Sequence, residues 1–412
     1  MNHSFKLLYI VWEKFPATRV DLTELFSKQL IGAGHSIDWL LQSEARGPSR
    51  IETTGERERF FIGSKGPENG KFNKIVNLCR GWINDFRVFF LVRRQDYDFV
   101  QVRDKIFSAL FGLIAAKSRK LPFFYWLSYP YAENDLYRAK DFGSSMSFWQ
   151  PWLYRLRGAA SAWVLYHLIL PRADHIFVQS DRMLEDVATH GIPRSKMTPV
   201  PMGVNLSLFE QNQMVAIDDD RLSGRLPIVY VGTLTVIRKM DFMLHVMPKV
   251  LQSAPTALLV LVGTAEARDL QHLHDEVARL NLEEDVLFTG NLPMVEAMGY
   301  VQCAKVCVSP FRPSPVLDSA SPTKIVEYLA CNKPVVANDH PDQSKVISES
   351  GAGIVVPYDV DAFAKAIVDL LQNEEKATQM AAGGRGYVRA HRSYDAIAKQ
   401  VEQVYVDFLE RG

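Results

Sequence analysis

SPTKIVEYLACNKPVVA, residues 321–337, opens on a Pro-Thr pair, runs into apolar residues at helical spacing and ends, past Asn332 and Lys333, in an apolar stretch of strand length. Proline suits the first turn of a helix, where its missing N–H would have had no partner. That opening leaves backbone N–H groups and the positive end of the helix dipole free for an anion. Pro322 takes the first turn, Thr323 and Lys324 offer hydrogen-bond donors, and Glu327, about one turn further in, is spaced to accept from hydroxyls. A phosphate beside a diol is what a nucleotide sugar presents. Taken alone, the segment reads better as a helix whose acid and base are merely solvated; the blocks around it change that.

Upstream, IVYVGTLTVIRKMDFML (residues 228–244) brings a strand to its end at Gly232 and sets two cations, Arg238 and Lys239, before a helix. Arginine's planar fork and lysine's mobile charge would together clamp a diphosphate and stabilise it as it leaves. A solvated basic pair is the alternative. Around these blocks the spacing predicts short strands at 228–232, 257–263, 286–290, 306–310, 334–338 and 353–357, with helices starting at Asp241, Ala267, Met294, Thr323 and Val360. Strand–helix alternation of this kind argues for a doubly wound parallel sheet with its ligand beyond the strands' carboxyl ends.

The first half repeats the pattern: strands at 6–12, 37–41, 99–103, 123–127 and 175–179, a helix at 20–32 and Gly34 as its left-handed stop. A length of 412 residues exceeds one core. The expected organisation is an N-terminal Rossmann-like acceptor-binding domain at 1–205, a polar linker at 206–225, a nucleotide-sugar-binding Rossmann-like domain at 226–390, and a C-terminal helix at 391–412 packing back on the first.

Hydrophobic residues make up 47% and charged residues 23%, which excludes disordered and fibrous classes. The zero net charge hides a division: residues 1–205 hold 28 Lys and Arg against 20 Asp and Glu, the remainder 19 against 27. A basic first half suits an anionic membrane surface or a phosphorylated acceptor, or simply reflects unequal solvated surfaces. Cys79, Cys303, Cys307 and Cys331 have the spacing of neither a disulfide framework nor a zinc site. Their simplest assignment is as reduced cytoplasmic thiols. The opening MNHSFKLLYIVWEKF indicates neither signal peptide nor anchor, and no stretch reaches the roughly 20 apolar residues of a spanning helix.

With these blocks in order, the chain resembles the retaining GT-B glycosyltransferases of glycosyltransferase family 4, the group 1 glycosyl transferases. The resemblance rests on the opening strand with its Gly34-His35 corner, ADHIFVQSDRMLEDVATHGIPRSKMTPVPMGVNLSLF from Ala173, YVG with Arg238-Lys239, LVGTAE, VLFTGNLP, PTKIVEYLACNKPVVA and GAGIVVPYD. It implies a GT-B α/β fold, two Rossmann-like doubly wound domains facing across a cleft. It implies diphosphate binding by Arg238 and Lys239, ribose binding by Glu327, base contact by backbone around Asn291 and Leu292, and a donor site that includes Gly232. It further implies a hexosyltransferase-type reaction with retention, by front-side attack in which the leaving phosphate helps take the acceptor proton, with no metal and no cofactor. UDP-sugar is the favoured donor and GDP-mannose the other. The acceptor would be a saccharide or a lipid-linked saccharide.

Two positions depart from the family pattern. Ser319 stands where relatives often carry the first of two glutamates, so Asp318, or the backbone of residues 319–321, is expected to take over contact with the sugar hydroxyls. Ser128 and Tyr129 stand where relatives carry a histidine, leaving Glu133 to orient or deprotonate the acceptor, or to serve as a surface acid. His35 is read as part of its corner.

Segments 136–170 and 71–94 mix aromatic residues with cations, which suits either a membrane interface or core helices with snorkelling basic ends. A cytoplasmic protein with peripheral contact to the inner face of the cell membrane is expected, and no nucleic-acid partner. The rival readings are a catalytically inactive GT-B partner that binds nucleotide sugar, and a nicotinamide oxidoreductase, which the absence of a GxGxxG turn disfavours.

Overall fold

The computed structural model describes residues 4–94, 96–141, 149–209, 217–235 and 238–411. The chain divides into two compact units, Met1–Pro201 with Ile397–Gly412, and Met202–Ala396.

In unit 1 the chain forms one sheet of mostly buried strands. They are β1 (Lys6–Phe15), β2 (Ser36–Ser43), β3 (Arg50–Thr54), β4 (Glu58–Gly63), β5 (Phe99–Arg103), β6 (Phe123–Leu127), β7 (His175–Val178) and β8 (Met197–Pro199). The sheet order is β3-β4-β2-β1-β5-β6-β7-β8, parallel except where β3 pairs antiparallel with β4. On one face Phe26, from the helix Asp21–Leu30, meets the rings of Tyr9, Trp39 and Trp126, and Tyr405 of the C-terminal helix meets Phe5, Phe99 and Phe124. On the other, residues of the helices Val88–Arg94, Ile106–Ser118 and Val164–Ile169 close a second core over Leu8, Ile10, Val100 and Val102. Strands β3, β4 and β8 were not anticipated. RIETT is an exposed edge strand, where charges are tolerated and apolar alternation is not required.

Unit 2 carries β9 (Leu226–Val231), β10 (Ala257–Val262), β11 (Val286–Gly290), β12 (Val306–Ser309), β13 (Val335–Asn338) and β14 (Gly353–Val356), in the order β11-β10-β9-β12-β13-β14 and parallel throughout. Helices begin where the periodicity placed them: Asp241–Ser253, Ala267–Leu280, Met294–Cys303, Thr323–Ala330 and Val360–Gln372. Pro341–Ser350 and Glu374–Ala382 add two more. The winding runs outward from β9 through β10 to β11, then returns to β12 on the other side. The switch between β9 and β12 is the crevice where open α/β sheets receive ligands.

The segment 206–225, read as a linker, falls partly on 210–216, which lie outside the described residues. Beside that gap, Phe209 is buried in the unit 2 core and Asp219 caps the short turn Asp220–Leu222. The residues 142–148 within the aromatic stretch 136–170 are likewise outside the described residues.

Candidate functional site

At the carboxyl end of β9 the chain must turn sharply beside β10. Gly232 and Gly263 both have φ +146°, and a Cβ on Gly263 would lie 2.0 Å from the Gly232 carbonyl oxygen, so a hydrogen is the only substituent that fits there. Across the switch, the helix Thr323–Ala330 sends two side chains, one turn apart, to the same strand end. Tyr328 Oη accepts the Val231 N–H at 2.8 Å, and Lys324 Nζ donates to Tyr230 Oη at 2.9 Å, lying 4.1 Å over that ring. Burial lowers the Lys324 pKa, with Tyr230 opposing and Arg238 adding to the fall. Pro322, at the N-cap, supplies no side-chain cap, so the first N–H groups of this helix have no side-chain cap.

Arg238 joins Lys324 from the β9 side. Its guanidinium lies 4.9 Å over the Phe311 ring, and Nη1 is buried without a hydrogen-bond partner among the described residues. Phe311 is fixed from both directions by Asn338, whose Oδ1 accepts the Phe311 N–H at 2.6 Å while Nδ2 donates to its carbonyl at 3.0 Å. His340 packs on Phe311 with ring centroids 4.7 Å apart, donates from Nε2 to the Leu317 carbonyl at 2.9 Å and accepts the Gln343 N–H on Nδ1. Burial lowers the His340 pKa, in keeping with a neutral ring. Two cations thus converge at the switch point on aromatic faces, with an unspent donor, beside an uncapped helix start. That arrangement suits a polyanion.

Glu327 sits one turn into the same helix, partly exposed. Burial of its carboxyl pushes the pKa up to about 7, against the pull of Lys324. Ahead of the helix, Ser319 is buried, and one Asp318 carboxylate oxygen accepts the Ser314 N–H at 3.3 Å. Ser321 Oγ accepts the Met202 N–H at 3.0 Å and bonds Asp342 at 2.8 Å; Arg392 pairs with Asp342 at 2.5 Å and reaches Ser321 at 3.2 Å. This buried knot fixes the Pro322 turn, and the sequence reading missed it because its members lie up to 190 positions apart. The structure brings Gly232, Arg238, Pro322, Thr323, Lys324 and Glu327 to one strand-end region. Lys239, in the left-handed region at φ +52°, lines a small depression with Thr235, Asp241, Asp269 and His272. Asn291 is exposed and Leu292 packs against the unit 2 core.

In unit 1, Tyr166 donates from Oη to Glu133. His35 stacks on Phe5, accepts its N–H and meets Glu402 at 2.9 Å, a corner contact with the C-terminal helix. Ser128 donates through Oγ and N–H to Asp104. The sequence reading also missed a charged network at the ends of β1 and β5. Arg103, fully buried, pairs with Asp21, which Arg19 also grips through two bonds of 3.0 Å, while Arg19 reaches Glu13 at 3.4 Å. Burial works to raise the Asp21 pKa, but Arg103 and Arg19 outweigh it and hold the carboxyl at about 2. Arg103 Nε and Nη1 and Tyr9 Oη have no hydrogen-bond partner among the described residues. The available signal was a charged pair, Arg103-Asp104, closing an otherwise apolar strand. Among the described residues no group of three or more His, Cys, Asp or Glu is placed to hold a metal ion.

Residues 225–373 match the family described as glycosyl transferases group 1, and residues 23–203 match the glycosyl transferase 4-like domain. A putative teichuronic acid biosynthesis glycosyltransferase of Bacillus subtilis is 32% identical over 182 residues, 43% of each chain. A GDP-mannose-dependent monoacylated alpha-(1-6)-phosphatidylinositol monomannoside mannosyltransferase of Corynebacterium glutamicum is 23% identical over 217 residues, 50% of this chain and 55% of that one. The chain thus spans about half the length of the curated relatives it matches. Among solved structures, HepE of Anabaena in complex with UDP-glucose superposes with a TM-score of 0.63 at 14% identity, covering 98% of this chain and 100% of that one.

Proposed function

Because this chain belongs to the group 1 glycosyl transferases, we propose that it moves a hexose from a nucleoside diphosphate sugar to a saccharide or lipid-linked acceptor, with retention, in polysaccharide or glycolipid assembly. The observation that carries this reading is the convergence of Arg238, Lys324 and the uncapped start of Thr323–Ala330 at the unit 2 switch point, with Glu327 one turn away. The diphosphate takes the cations and the free N–H groups, and Glu327 accepts from the ribose hydroxyls. Lys239 adds a mobile charge, backbone at Asn291 and Leu292 meets the base, and Asp318 or the backbone around Ser319 meets the sugar. As the bond to the sugar breaks, charge grows on the leaving phosphate, where fixed cations stabilise it and its oxygen takes the acceptor proton. No metal is assigned a part.

UDP-sugar is the favoured donor, supported by the UDP-glucose bound in a neighbour of the same fold; the GDP-mannose-dependent relative supports the other choice. Unit 1 takes the acceptor, with Glu133 meeting its hydroxyls, and rests at the inner face of the cell membrane.

A thermal-shift series with UDP-, GDP- and ADP-sugars tests the donor site, since a ligand of the native state raises the melting temperature by mass action. One donor should shift the protein, and Glu327→Ala and Lys239→Ala should each reduce that shift. A full shift in both variants overturns the assignment. The position of Ser319 favours one rival, a partner subunit that binds donor without turning it over; donor binding with neither transfer nor hydrolysis across an acceptor panel selects it.

A further inference from the structure

The helical layer on one face of the unit 1 sheet is built inside out. An amphipathic helix ordinarily buries its apolar stripe. In Lys71–Phe86 the polar edge faces the protein instead: Asn77 accepts the Gly66 N–H at 2.8 Å, Asn84 donates to the Leu41 carbonyl at 3.0 Å, and Asp85 pairs with Lys105 at 2.6 Å. Its apolar stripe, Phe72, Ile75, Cys79, Trp82, Ile83 and Phe86, is exposed, reaching 76% at Phe72 and 69% at Ile83. The helix Gln150–Trp163 repeats the inversion. Its inner side is Gly158, where a Cβ would come within 3.0 Å of the Ala132 carbonyl, together with Arg157 paired to Asp135. Trp152, Leu153, Leu156 and Trp163 look outward, each more than half exposed. Such stripes exceed the scattered apolar residues of an ordinary monomer surface.

Charge identifies the occupant. In the helices Lys71–Phe86, Val88–Arg94, Ile106–Ser118 and Gln150–Trp163, Asp85 is the only acid, and it is buried. Lys74, Arg93 and Arg155 are exposed among the apolar side chains. Two copies of this face would set cation against cation, whereas an anionic bilayer offers phosphates to the cations and an acyl boundary to the aromatic and aliphatic side chains. No helix among the described residues is long and apolar enough to cross a membrane. We propose that this face of unit 1 docks on an anionic bilayer, with the stripes of Lys71–Phe86 and Gln150–Trp163 seated at the headgroup–acyl boundary. This deepens the functional reading by naming the surface that brings the protein to a lipid-linked acceptor, and it is tested without donor.

The full chain, carrying Cys303→Ser and an environment-sensitive fluorophore on exposed Cys79, is mixed with vesicles of phosphatidylcholine with or without phosphatidylglycerol. Co-sedimentation and a blue-shifted fluorophore are expected only with phosphatidylglycerol, both falling as salt rises. Ile75→Glu with Leu156→Glu, both surface positions, should weaken partitioning at least about tenfold while circular dichroism stays unchanged. No binding by the parent chain, or equal binding by the double variant, overturns the proposal. So does a dimer in light scattering that the double variant dissolves, which would assign the face to a second copy. Loss of the donor thermal shift in the parent chain would sink the functional reading and leave the lipid result intact.

Discussion

The carboxyl ends of the two sheets solve one architectural problem in opposite ways. In unit 2 the ends of β9 and β10 are cleared by glycines, and the cations Lys324 and Arg238 approach over aromatic faces with a donor unspent. In unit 1 the corresponding end is filled with charge: Arg103, Asp21, Arg19 and Glu13 are gathered at β1 and β5, and Asp104 is capped by Ser128. One end leaves room for a ligand to supply the anion, and the other supplies its own. The contrast teaches that a strand-end cation reads as a binding group only where no carboxylate among the described residues already meets it.

Arg103→Met breaks the comparison most severely. Removing one partner of a buried pair strands Asp21 in the interior, and about 3–5 kcal/mol of unit 1 stability should be lost in urea or thermal unfolding. Lys324→Met should cost below about 1 kcal/mol, because the lysine is already desolvated, yet remove the donor thermal shift. Equal stability losses in the two variants would erase the distinction.

Gly263→Ala comes next. The added methyl meets the Gly232 carbonyl at a φ that side chains rarely adopt, and a loss of about 2–3 kcal/mol is expected in unfolding experiments, with the donor shift reduced. Gly224→Ala, with φ +71° and open space around its Cβ, should cost only about 1 kcal/mol.

Glu327 sharpens the comparison through pH. Its folded pKa of about 7 lies above the ordinary carboxylate value of 4.5, so between these values the native state holds a proton that the unfolded chain has released. Stability from this group is therefore present at low pH and lost as pH rises through 7. Donor binding runs the other way, since the carboxylate is the acceptor form, and affinity should fall about tenfold between pH 8 and pH 6. Glu327→Gln should flatten both profiles and raise the melting temperature at pH 8 more than at pH 5. Calorimetry at three pH values reads both.

The smallest effects concern Asp318 and metal. Asp318→Asn should weaken a nucleotide sugar about three- to tenfold and leave the bare nucleotide unchanged, because only the sugar is expected to reach that turn. A chelator should leave transfer rates unchanged, and a loss restored by a divalent cation would overturn that expectation.

Much of unit 2 was legible because helix starts coincide with punctuation: Pro322 before Thr323, Asp359 before Val360, Pro293 before Met294. Parallel strands such as ALLVLV are continuous apolar stretches because helices cover both faces. Edge strand β3 carries no such mark. The periodicity of Lys71–Phe86 showed an apolar stripe but not which way it turns, since that depends on the asparagines finding partners at Gly66 and Leu41. Arg238 was legible as a cation beyond a strand. Its seat over Phe311 was not, because the loop from β12 that carries the ring is positioned by Asn338 at the end of β13.

The contact between Gly263 and the Gly232 carbonyl has a further consequence for anyone mapping this protein by substitution. A saturation scan scored on activity would mark Gly263 as intolerant as Glu327, though one touches only its own chain. Distinguishing them needs a rescue: an intolerance of packing yields to stabilising changes elsewhere in unit 2, whereas a lost ligand contact does not. Tolerance maps of folds that make room by omission will therefore overstate the size of their sites, and the excess should lie along the glycine-bearing strand ends.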